Sequence, residues 1–201
     1  MMNIAANFCM SCGHALVTKL MDGVPRRACP VCEFVHWGNY SIGVGALVFR
    51  EDRILLVRRA QEPGRGMWTN PGGYTEQTEP IHVTVEREVL EETGITAKVD
   101  RIIALRDQPR QVHNLYVAFA LRYIAGEPRA DGVEVDDVGF FTASEMQGMN
   151  VAGLTKWLVD VAKSSAVSGS GLGLDFSEYV TSEQNWLFRP HSGRAQAGQG
   201  D

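Results

Sequence analysis

The sequence predicts a mixed α/β fold, a mixed sheet sandwiched between helices, preceded by a small cysteine-stapled segment. Three observations carry this. β-rich apolar runs alternate with turn signals from Tyr40 onward. One helical segment is bracketed by Pro80 and Gly94. All four cysteines fall in the first 32 residues, in two pairs.

In chain order, residues 1–38 hold the cysteines and little apolar periodicity, so this piece needs a staple rather than a core of its own. Residues 39–164 form the main domain. "YSIGVGALVFR" and "RILLVRRA" read as strands joined through "EDR" in a hairpin, and "EPGRGMW" and "NPGG" as loops. Pro80 to Thr93 reads as a helix. "ITAKVDRIIALRD" and "VHNLYVAFALRYI" are two further strands joined around Pro109, and "VEVDDVGFF" is another. Thr142 is a plausible helix cap. Leu154, Trp157, Leu158 and Val161 mark a short amphipathic helix. Residues 165–201 read as a flexible linker and C-terminal tail, the linker carried by "KSSAVSGSGLG" and disorder expected in the last stretch, "HSGRAQAGQGD".

Bulk composition narrows the classes. At 201 residues, with 44% hydrophobic and 21% charged residues, this is an ordinary globular composition. The net charge of −5 and the lack of a basic run argue against a polyanion-binding surface, so no nucleic-acid partner is expected. No apolar stretch reaches the ~18 residues of a membrane span, and the start has no signal-peptide core. A cytoplasmic location is expected. Pairing of two copies through an exposed C-terminal helix stays open.

Cys9, Cys12, Cys29 and Cys32 form a C-x2-C-x16-C-x2-C array. Two residues between thiolates let a tight turn aim both sulfurs at one tetrahedral ion. Four soft ligands close the shell, which predicts a structural zinc ribbon. Two disulfides are disfavoured without a secretory signal. His14 and His36 lie nearby but are not needed as ligands.

The segment from Gly72 to Ile95 carries six glutamates against Arg87 alone, which accounts for the whole net charge. At about 100° per residue, Thr84, Glu88, Glu91 and Glu92 share roughly a 100° arc of the helix. Val83 and Leu90 lie opposite, where a core is expected. Crowded carboxylates repel and take up protons unless a cation joins them. Hard oxygen ligands favour magnesium or manganese. No lysine lies between Lys19 and Lys98 to neutralise them instead.

The full spacing is Gly73, five residues, Glu79, seven residues, then Arg87-Glu88-Val89-Leu90-Glu91-Glu92-Thr93-Gly94-Ile95. It resembles the signature of the Nudix hydrolases without a gap. The resemblance implies a Nudix-type α/β/α sandwich and hydrolysis of a nucleoside diphosphate linked to another moiety. It also implies that Glu88, Glu91 and Glu92 bind Mg2+ or Mn2+, that Gly73 shapes the loop beside the ions, and that Glu79 supports loop and helix. Arg87 would orient a glutamate. Glu91, Glu92 or Glu134 would serve as general base, although an exposed strand-edge charge is the other reading of Glu134.

Arg58, Arg59 and Arg65 are candidates to reach phosphates, and Trp68 or Tyr116 to stack on a base, with packing as the alternative for each aromatic. The ribbon-plus-domain pattern resembles short ADP-ribose and FAD pyrophosphatases. NADH pyrophosphatases are less similar, because "RDQPRQVHNLYVAF" keeps only Gln108-Pro109 of their usual stretch after the box. Two rivals are a nucleotide-sensing regulator, which has no need of the acidic triad, and an isoprenoid diphosphate isomerase. The isomerase would place a cysteine in the main domain, where this chain has none.

Overall fold

The structure, a computed structural model, describes residues 6–164 together with the backbone of 172–174 and 186–190. The N-terminal part is a three-stranded antiparallel sheet: β1 (Val17–Met21), β2 (Val24–Ala28) and β3 (Val35–His36), in that order. Its own core is small. Cys9, Leu16 and Cys29 are buried, with Ala6, Cys32 and Phe34 packed against them.

The larger sheet contains β4 (Tyr40–Arg50), β5 (Arg53–Arg59), β6 (Trp68–Thr69), β7 (Thr96–Gln108), β8 (His113–Ala125) and β9 (Val135–Phe141). Its path runs β7-β8-β4-β5-β6, with β9 also pairing β5. β4 and β8 are parallel, in register from Tyr40 opposite His113 to Phe49 opposite Arg122. The neighbouring pairings β7–β8 and β4–β5 are antiparallel, so the sheet is mixed.

Side chains alternate across a strand, and β4 uses both faces. Val44, Ala46 and Val48 point to one cluster with Val85 and Val89 of α1 (Ile81–Thr93). Leu47 joins the opposite cluster with Trp157, Leu158 and Val161 of α3 (Gly153–Ser164). The short helix α2 (Ala143–Gln147) starts at Thr142, whose side chain and Glu145 form a reciprocal capping box. The result is three layers, helix on sheet on helix. No helix among the described residues is long and apolar enough to cross a membrane.

Two expectations need correction. Val83 and Leu90 do not face the core; they are 41% and 50% exposed. The buried residues of α1 are Thr84, Val85, Val89, Glu92 and Thr93, so part of the acidic arc is turned inward. The reason is local supply: the loop before the helix and Arg87 give the acids hydrogen-bond donors that a solvent-facing arc would not need. The second correction concerns the stretch read as linker and tail. It contains two short strands, β10 (Leu172–Leu174) and β11 (Trp186–Pro190). β11 pairs antiparallel with β7, placing Trp186 opposite Asp107, and β10 pairs with β11. β7 would otherwise be a sheet edge with unpaired backbone groups, which explains why a short strand docks there. Residues 165–171, 175–185 and 191–201 lie outside the described residues.

Candidate active site and ribbon metal centre

The acidic helix begins after Pro80 and stops at Gly94, whose left-handed backbone lets its N–H reach the Leu90 carbonyl at 2.9 Å. Within α1, Arg87 is the hub. Its Nε and Nη2 donate to Glu79 at 3.1 and 2.9 Å, while Nη1 donates to Glu88 at 2.9 Å and Glu91 at 2.8 Å. One cation therefore faces three carboxylates. The arginine lowers the pKa of Glu79, whereas burial pushes Glu88 up despite Arg87. Lys98, the first lysine after the stretch, is taken by Glu86, with Nζ 2.5 Å from its carboxylate.

Glu92 is the exception in this group. It is 9% exposed and accepts one hydrogen bond, from the Gly72 N–H at 2.9 Å. Burial raises its pKa to about 8, against the Gly72 hydrogen bond, with Glu88, Glu134 and Asp131 adding repulsion. A buried carboxyl held up in this way calls for a proton or a cation.

Two glycines make this geometry. Gly72 has φ of +155°, and a Cβ there would lie 2.1 Å from the Val44 carbonyl oxygen. A Cβ on Gly73 would lie 2.5 Å from the Glu88 carboxyl carbon. The Gly73 carbonyl accepts from the Val44 N–H at 2.8 Å, which ties the loop to the sheet.

Beside Glu92 opens a cavity of about 760 Å³, a size suited to a nucleotide-scale ligand. Its walls include Arg59, Glu92, Arg106, Arg110, Tyr116 and Glu134. Glu134 is exposed on a loop built around Asp131, whose Oδ1 accepts from the N–H groups of Val133, Glu134 and Val135 at 2.8 to 3.1 Å. Tyr116 packs under Arg106, with the guanidinium 5.1 Å from the ring centroid, and its hydroxyl accepts from Asn70 Nδ2 at 2.8 Å.

The structure thus brings Glu92, Glu134, Arg59 and Tyr116 to one cavity, whereas Glu88, Glu91, Arg87 and Gly73 are not in its lining. It does not bring Arg58 or Trp68 into the lining. Arg58 is taken up in ion pairs with Asp136 (2.6 Å) and Asp137 (3.4 Å), its guanidinium 5.7 Å from the Trp68 ring centroid. Trp68 packs edge-on against Phe141, with centroids 4.9 Å apart, as part of the α3-side core. Successive residues of a strand face opposite ways, so only one of the two adjacent arginines reaches the cavity. Arg106, Gln108 and Arg110, which the sequence offers only within the "RDQPRQVHNLYVAF" stretch, also line the cavity. Their spacing of two, along β7 and past its end, is the signal that marks one face.

In the ribbon, Cys9 and Cys32 sulfurs are 3.6 Å apart, and Cys12 lies 3.5 Å from both Cys29 and Cys32. All four sulfurs are within 4.8 Å of one another. A disulfide needs ~2.05 Å, whereas four ligands at ~2.3 Å from one tetrahedral ion stand about 3.8 Å apart. Burial raises the Cys29 thiol, but the N–H groups of Cys32 and Val31 together with the Cys12 and Cys32 side chains bring the pKa down to about 6, while Cys12 and Cys32 are pushed up in turn. The donor set fits a structural metal. Neither His14 nor His36 belongs to the cluster. Glu88, Glu91 and Glu92 form no such tight group among the described residues. Arg87 draws Glu91 one way and Gly72 holds Glu92 another. As all-oxygen donors beside a half-neutralised cluster, they fit a hard divalent cation.

The family model described as the NUDIX domain matches residues 39–161. The chain belongs to the Nudix family. Nudix enzymes generally use a divalent metal, in keeping with the donor set of α1. Among similar proteins is a NAD-capped RNA hydrolase NudC from Stutzerimonas stutzeri, 31% identical over 134 residues, which cover 67% of this chain and 47% of that protein. An ADP-ribose pyrophosphatase from Methanocaldococcus jannaschii is 29% identical over 109 residues, covering 53% of this chain and 64% of the relative. The chain spans about half the length of the NudC relatives it matches. A solved Nudix hydrolase from Nitrosomonas europaea shares the fold with a TM-score of 0.69, at 24% identity, over 81% of this chain and 94% of the other.

Proposed function

We propose that this chain hydrolyses the diphosphate bond of a nucleoside diphosphate linked to another moiety, with ADP-ribose as the first candidate and FAD next. The products would be AMP and the phosphorylated remainder. The observation that carries this reading is the placement of the buried, proton-seeking Glu92 on the wall of a nucleotide-sized cavity that also presents Arg59, Arg106 and Arg110.

In this reading Glu88, Glu91 and Glu92, with the Gly73 carbonyl beside them, hold Mg2+ or Mn2+. When bound, the cation neutralises diphosphate charge and makes a water acidic enough to attack phosphorus. The chain's own residues do the rest. Arg87 sets the rotamers of Glu88 and Glu91 and keeps Glu79 against the helix. Arg59 and Arg106 meet phosphate oxygens and stabilise the charge that grows there. Glu134 takes the proton from the attacking water, being on a loop held by Asp131 and close enough to raise the pKa of Glu92. Glu91 and Glu92 are the other candidates for that proton. Zinc held by Cys9, Cys12, Cys29 and Cys32 stabilises the ribbon.

A second reading takes NAD(H), free or at the 5′ end of an RNA, as substrate. The NudC relatives favour it, while the partial match around Gln108-Pro109 weighs against it. Product analysis with magnesium on ADP-ribose, FAD, NADH and 8-oxo-dGTP separates these. AMP from ADP-ribose, with turnover reduced about a thousandfold in Glu92→Gln, is the expected result. No turnover on any of the four, with nucleotide still bound, would replace the hydrolase with a nucleotide sensor.

A further inference from the structure

A second cavity of about 450 Å³ lies where the ribbon meets the sheet. Arg26 of β2 and Trp37 form one wall, and Tyr40 and His113 the other, with Arg110 at the end. Trp37 and Tyr40 are large aromatics left 60% and 66% exposed. The Arg26 guanidinium lies 4.6 Å from the Trp37 ring centroid, and Tyr40 and His113 rings are 5.6 Å apart. Arg27 is also in the lining, although its guanidinium is bound to the Ala6 and Leu16 carbonyls and to Thr18. Among the described residues no acidic side chain lines the groove, although Asp107 is paired with His113, in a chain whose net charge is −5.

The walls are joined rather than loosely apposed. The Tyr40 hydroxyl donates to the Trp37 carbonyl at 3.5 Å, and Tyr40 pairs with His113 in the parallel ladder. Arg110 lines this groove and the cavity beside Glu92, so the two spaces adjoin. That first cavity already has room for a dinucleotide-sized ligand. The groove is surplus to it.

Exposed flat rings interleaved with arginines on an open groove match the chemistry that binds unpaired nucleotides: bases stack on the rings, and phosphates meet the cations. We propose that this groove binds single-stranded nucleic acid, a few nucleotides long, running from the ribbon toward the Glu92 cavity. Overall acidity hid the feature, because Arg26 and Arg110 are 84 positions apart in sequence and meet only in the fold. The inference concerns binding and does not rest on the hydrolase reading.

The test is fluorescence anisotropy of the zinc-loaded full chain with a 3′-labelled single-stranded RNA decamer ending in a 5′-hydroxyl, which offers no diphosphate to cleave. Trp37→Ala should weaken binding about tenfold, the loss of one stacked base, and Trp37→Phe should restore most of it. Arg26→Glu should weaken binding and flatten the dependence of log affinity on log salt by about 0.7, one phosphate contact. Each variant is checked for zinc content and melting temperature. A structural role for Trp37 would lower both without restoration by Phe. Turnover of ADP-ribose should be unchanged in Trp37→Ala. Absence of decamer binding, or equal binding by parent and Trp37→Ala, overturns the proposal. So does a raised KM for ADP-ribose with decamer binding intact, which would make the groove a subsite for the small substrate.

Discussion

The ribbon and the acidic helix are both clusters of like, ionisable ligands, yet they are built in opposite ways. In the ribbon four sulfurs already converge, two at a time, from tight turns whose backbone N–H groups point at Cys29. Each ligand position has its cysteine, and the apolar core beside the small sheet is slight. In the helix Arg87 bridges Glu88 and Glu91 through one nitrogen while the Gly72 N–H holds Glu92, over an apolar core that does not need them. The difference teaches that ligand convergence tracks what the metal is for. A fold that depends on its ion presents a finished shell. A site where an ion and a substrate must both enter presents hard ligands held in reserve by weaker partners.

The comparison breaks first at the ribbon. Removal of zinc, or Cys29→Ser, should unfold residues 6–36 while 40–164 keep their structure, since apparent zinc-binding energies of about 10–16 kcal/mol in small zinc modules exceed what so small a core supplies. Limited proteolysis with verified loss of zinc reads this directly. A ribbon that stays protected contradicts it.

A smaller effect, on the order of 5 kcal/mol, should appear in the pH dependence of stability without magnesium. Glu92 has a folded pKa of about 8 against 4.5 as its ordinary value. A raised folded pKa gives stability that is complete below the unfolded value and lost as pH rises through the folded one. Melting temperature should therefore fall between about pH 4.5 and 8 and level off above that. Glu92→Gln should remove this slope, and added magnesium should flatten it. A melting temperature that is flat or rising in the parent would show that Glu92 is not held protonated.

Gly73→Ala sharpens the comparison at the smallest scale. The new methyl meets the Glu88 carboxyl, so that side chain must turn. Turnover should fall about ten- to a hundredfold, with little change in ribbon stability. Equal turnover by Gly73→Ala would remove the glycine from the account.

Much of this was legible before any coordinates. The helix from Pro80 to Gly94, the five long strands, the helix cap at Thr142 and the cysteine array all follow from local pattern, and the structure contains them. What failed was tertiary. Helical periodicity placed Val83 and Leu90 inward because it assumes that acids seek water, and it cannot know that Gly72 offers a buried donor. Arg58 and Arg59 are alike in sequence, and the strand's pleat alone separates the ion-paired one from the cavity-lining one. Trp68 was a candidate for stacking, but Phe141, 73 positions later, claims its ring. The groove between ribbon and sheet joins residues from three separate segments, and no local pattern announces it.

The most direct test of the central claim, that the acidic helix is a cation site awaiting its ion, is a Mn2+ titration of the zinc-loaded chain followed by electron paramagnetic resonance. The account predicts binding that is strongly weakened in Glu92→Gln and Glu88→Gln, while zinc stays at one per chain. Manganese binding unchanged in both variants would contradict it.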